Sequence, residues 1–158
     1  MSTDKQARLA SIKDEVGELH PLLKRLLPKL PTVISVEYTH GPTEMGADFV
    51  VQRRHEIFGD TDYVGVIAKV GKIVTDFSDI ERQIGECWVP RTVDGGTKKV
   101  RLNEVWVVVT ENITKGAQEK ILNKFESAKI EFLQWSRLVS LIDRYIPDYW
   151  TEGTPARL

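Results

Sequence analysis

The stretch Glu37-Tyr38-Thr39-His40-Gly41-Pro42-Thr43-Glu44-Met45-Gly46-Ala47-Asp48-Phe49-Val50-Val51, with Tyr63-Val64-Gly65-Val66-Ile67-Ala68-Lys69 a short turn later, decides how this chain folds. A glycine-rich turn delivers one acid, Asp48, onto an apolar strand. A second apolar strand carries one lysine, Lys69, in a run that should otherwise be buried. A carboxylate and an ammonium in adjacent core strands cost several kcal/mol in desolvation unless they are paired or bind an ion. Those two residues are therefore the first candidates for function.

Working outward, Asp4 to Leu27 places Leu9, Ile12, Val16, Leu19, Leu23, Leu26 and Leu27 at helical spacing, with Pro21 expected to kink or divide the helix. Thr32 to Tyr38 is rich in β-branched residues and reads as a first strand. Ala47 to Arg53 and Tyr63 to Val70 read as a second and a third, joined by a hairpin at Gly59-Asp60-Thr61-Asp62. Thr75 to Trp88 sets Phe77, Ile80, Ile84 and Cys87 on one helical face. Pro90 to Lys99 reads as a polar loop. Val105-Trp106-Val107-Val108-Val109 is a nearly continuous apolar run, the mark of a strand covered on both faces. Thr114 caps a helix through Phe125, Ile130 to Leu133 is a short strand, and Trp135 to Ile146 a last amphipathic helix.

This order predicts an α/β domain over residues 1–150, with a mixed five-stranded sheet flanked by helices on both faces. Residues 151–158 read as a linker or tail, as if a longer polypeptide ended at a domain boundary. The 158 residues suit one domain with a sizeable core. Net charge is −1, so a nucleic-acid partner must be held by a local patch rather than by bulk basicity. No apolar run approaches the roughly 20 residues of a membrane span. The N-terminus is too polar for a signal peptide. The single Cys87 excludes an internal disulfide and suits the cytoplasm; on its apolar helix face it reads as a core residue.

Strand alternation puts Asp48, Val50 and Gln52 on one face of the second strand, and Tyr63, Gly65, Ile67 and Lys69 on one face of the third. If the two strands pair, Asp48 and Lys69 point to the same side near one sheet end, and Gly65 leaves room for a close approach. Glu44 lies four residues before Asp48 and can converge on it across Gly46. Two carboxylates with a backbone carbonyl make an oxygen site for a hard divalent cation, Mg2+ or Mn2+. A lysine beside such a site can orient an attacking water and stabilise charge on a phosphoryl oxygen. The alternative is a structural ion pair between Asp48 and Lys69.

The αβββαβ core, with Asp48 on the second strand and Lys69 on the third, resembles the PD-(D/E)xK, restriction-endonuclease-like nucleases. It is similar in particular to the Mrr-type domains at the N-terminus of prokaryotic antiviral STAND ATPases. Tyr38-Thr39-His40-Gly41, Glu44-Met45-Gly46-Ala47-Asp48-Phe49-Val50, Gly65-Val66-Ile67-Ala68-Lys69 and Leu141-Ile142-Asp143-Arg144-Tyr145-Ile146-Pro147-Asp148-Tyr149-Trp150 carry the likeness. It implies a metal-dependent endonuclease acting on double-stranded DNA in antiviral defence. It also implies an attached sensor ATPase and activation as a homo-oligomer. Asp48 would bind metal, the Ala68 carbonyl would assist, and Lys69 would position the nucleophile.

One position departs from the family pattern. Two residues before the lysine, where an acid or glutamine is usual, stands Ile67. Glu44 and Gln83 are the candidate replacements, Gln83 because it shares the inward helix face with Ile80, Ile84 and Cys87. Its other reading is a helix-to-backbone hydrogen bond. Glu15 and Glu18 are weaker options and read as solvated-face residues. Loss of metal chemistry, leaving a DNA-binding or assembly module, is the rival outcome. His40 could meet a phosphate or simply stabilise its turn. His20 and His55 have no companions at zinc-ligand spacing. Among the basic groups, Arg53, Lys72, Lys98 and Lys99 would contact duplex phosphates if they rim one cleft.

Overall fold

The computed structural model describes residues 2–39, 46–74, 77–93 and 96–152, with the side chains of residues 2 and 3 excepted. The first helical segment is divided, but not at Pro21. Helix α1 (Ser2–Ala10) stops, a π-helical turn spans Glu15–Leu19, and α2 (His20–Leu26) follows with Pro21 in its first turn. The break lies at Ser11–Asp14 because the side chains there favour a new start. Asp14 Oδ1 accepts the Gly17 N–H at 3.0 Å, while Glu18 Oε1 accepts the N–H groups of Lys13 and Asp14 at 3.2 and 3.1 Å. This is reciprocal capping. Proline suits the first turn, where its missing N–H is no loss.

Strands β1 (Val33–Tyr38), β2 (Phe49–Arg54) and β3 (Thr61–Lys69) form an antiparallel meander. Helix α3 (Ser78–Cys87) follows. Residues 90–99, expected as a loop, instead contribute to a small antiparallel ribbon of β4 (Arg91–Val93) and β5 (Lys98–Val100). Strand β6 (Glu104–Val109) then pairs parallel to β3, and β7 (Ile130–Leu133) parallel to β6. Between them runs α4 (Lys115–Lys124), capped by Thr114 accepting the Ala117 N–H at 3.3 Å. Helix α5 (Trp135–Tyr145) ends the core.

The result is a five-stranded mixed sheet in the order β1-β2-β3-β6-β7, as the sequence predicts. One face packs Phe49, Val51, Val64, Val66, Ala68 and Val108 against the leucines of the N-terminal helices and against Leu138 and Ile142 of α5. The other packs Val50, Ile67, Val105, Val107 and Val109 against Ile80 and Ile84 of α3 and Ile121 of α4. The valine run of β6 feeds both layers, which is why it lacks polar alternation. Gly65 is not room for a ligand. A side chain there would meet Leu102 Cδ1 at 2.6 Å and Ala47 Cβ at 3.3 Å, so the glycine lets the post-ribbon segment close on β3. Among the described residues no helix is long and apolar enough to cross a membrane.

Candidate active site

The site is built from the turn before β2. Gly46 has φ +86°, and a side chain there would collide with the Gln83 carbonyl of α3. Glycine is therefore required both by the backbone angle and by the approach to the helix. Gln83 is buried, and its Nε2 donates to the Gly46 carbonyl at 3.0 Å. The helix-to-backbone reading of Gln83 is thus realised in its amide nitrogen. Its Oε1 is buried with no hydrogen-bond partner among the described residues.

The turn changes what alternation predicts for Asp48. Phe49 registers with Val66, yet the Asp48 N–H also reaches the Val66 carbonyl, at 2.8 Å. Two residues against one is the arrangement of a β-bulge, and it shifts the side-chain parity by one. Ala47 and Val50 consequently pack in the same layer. Asp48 does not share a regular strand face with Val50 and Gln52. Its carboxylate lies at the sheet end, where Oδ2 accepts the Ala68 N–H at 2.9 Å and sits 3.8 Å from His20 Nε2. Asp48 is 3% exposed.

Lys69 ends β3 and is half-buried. Among the described residues it makes no ion pair, so the structural Asp48–Lys69 pair is not formed. It lines a cavity of about 230 Å³ together with Glu15, Phe77, Asp79 and Ile80. Ile67, the residue in the usual acid position, is fully buried in the α3 layer. Lys72, three residues on, is exposed near the same sheet end.

Glu15, expected on a solvated face, is instead brought to this end. The π-helical turn presents it to β3, where Oε1 accepts the Val70 N–H at 3.2 Å. Ala68 is the penultimate residue of β3 and Val70 lies just past its end. Two carboxylates, Asp48 and Glu15, thereby take the amides flanking Lys69. The signal for Glu15 was the Asp14-to-Glu18 capping pattern, which puts residue 15 in a first turn rather than mid-helix. Glu18 remains exposed and caps its own turn. Glu44 and His40 lie outside the described residues.

The basic cleft is not assembled as expected. Arg53 lies five residues along from Asp48. There it grips Asp62 through Nε and Nη2 at 3.0 and 2.9 Å and reaches Glu104 at 3.0 Å. Hydrogen bonding to Asp62 and the two nearby carboxylates raise its pKa further, against the opposing effect of burial. Burial pushes Asp62 up, but the Arg53 hydrogen bond and charge, with His55, outweigh it and hold that carboxyl below the usual range. Lys98 sits 5.7 Å from the Tyr63 ring centroid, six residues up β3 from Lys69 or roughly 20 Å away. Lys99 is exposed on the same ribbon strand. Arg53 and Lys98 thus belong to the opposite end of the β2–β3 pair from Lys72. Lys24 is a second exposed lysine beside the Asp48 end, its Nζ 3.9 Å from the ring centroid of Tyr38.

Among the described residues no three His, Cys, Asp or Glu side chains converge as a closed metal cage. Asp48 and Glu15 are carboxylates that backbone amides hold at this end of the sheet. Magnesium retains several waters and needs only one or two protein carboxylates.

No family model and no curated protein matches this chain. Among solved structures it is similar to the MspJI restriction endonuclease, determined in complex with a 27-mer oligonucleotide, over 90% of this chain at 14% identity and a TM-score of 0.50. The fold is restriction-endonuclease-like. The chain spans 31% of the length of that enzyme chain. In this fold the start of the second strand and the end of the third meet at one sheet end, where Asp48 and Lys69 stand.

Proposed function

We propose that this chain is a metal-dependent DNA endonuclease domain, and that Glu15 supplies the carboxylate missing at Ile67. The observation that carries the reading is the pair of carboxylates on the amides of Ala68 and Val70, the residues on either side of Lys69. Asp48 and Glu15 would hold Mg2+ or Mn2+, with the Ala68 carbonyl or Glu44 in support. The cation supplies Lewis-acid stabilisation of phosphoryl charge and a more acidic water.

The chain's own residues do the rest. The Ala68 and Val70 amides fix the two carboxylates before substrate arrives, so little reorganisation is left for the reaction. Gln83 and Gly46 lock the turn that aims Asp48. Lys69 orients the attacking water and places positive charge beside the phosphoryl oxygens. Lys72 and Lys24, exposed near this end, would meet the DNA backbone. Net charge near zero gives little long-range attraction, so a single copy binds duplex weakly. From the resemblance to the Mrr-type domains of antiviral STAND ATPases we infer a cytoplasmic effector of antiviral defence, active when an attached STAND-type sensor gathers several copies.

A specific observation favours a second reading. Ile67 is fully buried in the apolar layer, and no three His, Cys, Asp or Glu side chains form a metal-holding group among the described residues. A nuclease fold without catalysis, serving as a DNA-binding or assembly module, would look the same at that position. Plasmid cleavage with Mg2+, Mn2+ or EDTA, by the free domain and by forced oligomers, separates the two. Metal-dependent cutting lost in Glu15→Gln supports the enzyme with its ligand assigned. Cutting unchanged in Glu15→Gln moves the second ligand to Glu44.

A further inference from the structure

Behind Asp48 lies a buried histidine that the proposed mechanism leaves unused. His20 opens α2 and is 0% exposed. Its ring packs edge-on against Tyr38 and Phe49, with centroids 5.4 and 5.6 Å apart. A histidine in a leucine-rich stripe would serve as packing alone if its nitrogens faced apolar atoms. They do not. Nδ1 lies 2.8 Å from the Tyr38 hydroxyl, a hydrogen bond, and Nε2 lies 3.8 Å from Asp48 Oδ2.

We propose that His20 is a positioning residue for Asp48, with Tyr38 fixing its tautomer. The proposal rests on Asp48 being the principal carboxylate of the site. If Nδ1 carried the only ring proton, the Nε2 lone pair would face a buried carboxylate, an unfavourable arrangement in a low-dielectric setting. With the Tyr38 hydroxyl donating to Nδ1, the proton sits on Nε2 and points at Oδ2. The Lys24 ammonium over the Tyr38 ring favours this direction, because a cation at the ring face makes the hydroxyl a better donor. At 3.8 Å the Nε2 contact is electrostatic; a movement of about 1 Å makes it a hydrogen bond of ordinary length. Catalytic hydrogen bonds are often long before substrate is bound.

Asp48 is then held from two directions, by the Ala68 amide at the sheet end and by the His20 ring from the helical layer. Outer partners of this kind orient a ligating carboxylate, and their loss costs on the order of 10- to 100-fold in metal affinity. The sequence offered little sign of the role, since His20 has no neighbour at zinc-ligand spacing and joins Tyr38 and Asp48 only through the fold.

The test uses Mn2+ binding to the whole chain by calorimetry and nitrogen NMR of the imidazole, alongside cleavage. The His20 ring is expected to show a protonated Nε2. Tyr38→Phe should increase the Nδ1-protonated form. His20→Phe keeps the packing and removes the donor; it should weaken Mn2+ binding by about 10-fold or more. His20→Gln should restore part of the loss. In cleavage, kcat should fall while KM for DNA stays unchanged. Unaltered Mn2+ affinity in a folded His20→Phe would overturn the proposal. Should that variant fail to fold, Tyr38→Phe decides, because an unchanged tautomer and unchanged Mn2+ affinity together contradict it. Asp48→Asn separates the two levels. If it leaves Mn2+ binding intact, the site assignment itself fails; if it abolishes binding while both aromatic variants bind normally, only the positioning role fails.

Discussion

At one end of the β2–β3 pair, Arg53 is gripped bidentately by Asp62. It also reaches Glu104, which in turn accepts from Trp106 Nε1 at 2.6 Å and lies 3.5 Å from Lys129 Nζ. At the other end, Asp48 leans on a backbone amide and a histidine, Glu15 leans on a second amide, and Lys69 has no ionic partner among the described residues. Both ends carry charge into half-buried or buried positions. The first matches cation to anion. Charges satisfied by one another lock a fold, whereas carboxylates set on backbone amides can still take a cation from outside. The opposite end of the pair is thus the structural control for the candidate site.

The contrast can be broken by exchanging what each end loses. The largest effect is expected from Asp48→Asn, which keeps an acceptor for the Ala68 amide. Cleavage should vanish while the melting temperature stays close to that of the parent. Asp48→Ala is the poorer probe, since an orphaned buried amide costs about 1–3 kcal/mol in its own right. Next, Lys69→Ala should lower turnover on saturating DNA by about 100-fold or more, the usual loss for one preorganised electrostatic donor. A change confined to DNA affinity would instead make Lys69 a phosphate anchor.

At the paired end the signs reverse. Arg53→Met should leave turnover unchanged and destabilise the fold by about 1–3 kcal/mol, because the Glu104 carboxylate loses a partner in a buried setting. Denaturant melts measure this, and a variant as stable as the parent would remove the distinction between the ends. The smallest effect is in acid. Asp62 has its folded-state pKa depressed, so its contribution is present above the unfolded value of about 3.9 and is lost as pH falls through the lower folded value. Asp62→Asn should therefore flatten the stability profile below about pH 4, as read by thermal melts across that range.

The sheet was legible because its strands carry strong signals. The β6 valine run and Ile130–Leu133 could only be buried strands, and Thr114 announced α4. The ribbon was not legible, since Arg91–Val93 and Lys98–Val100 are each too short for alternation to show. Asp48 and Lys69 stand out in the sequence because charge in an apolar strand is conspicuous. The direction of Asp48 was missed because a bulge shifts side-chain parity without changing residue types. Arg53 was assigned to a cleft on its charge alone, whereas its partners Asp62 and Glu104 come from β3 and β6 and meet it only in the folded sheet. The contacts of Glu15 and His20 are illegible for the same reason, as their partners Val70, Tyr38 and Asp48 are distant in sequence.

Metal-dependent plasmid cleavage by copies held together through a fused dimeriser is the most direct measurement of whether the Asp48 end is a catalytic centre. The expected result is cutting with Mg2+ or Mn2+, abolished by EDTA and by Asp48→Asn, and undiminished at saturating DNA in Arg53→Met. Duplex binding without cutting under any metal, equal in the parent and in Asp48→Asn, would contradict it and leave the fold a binding module.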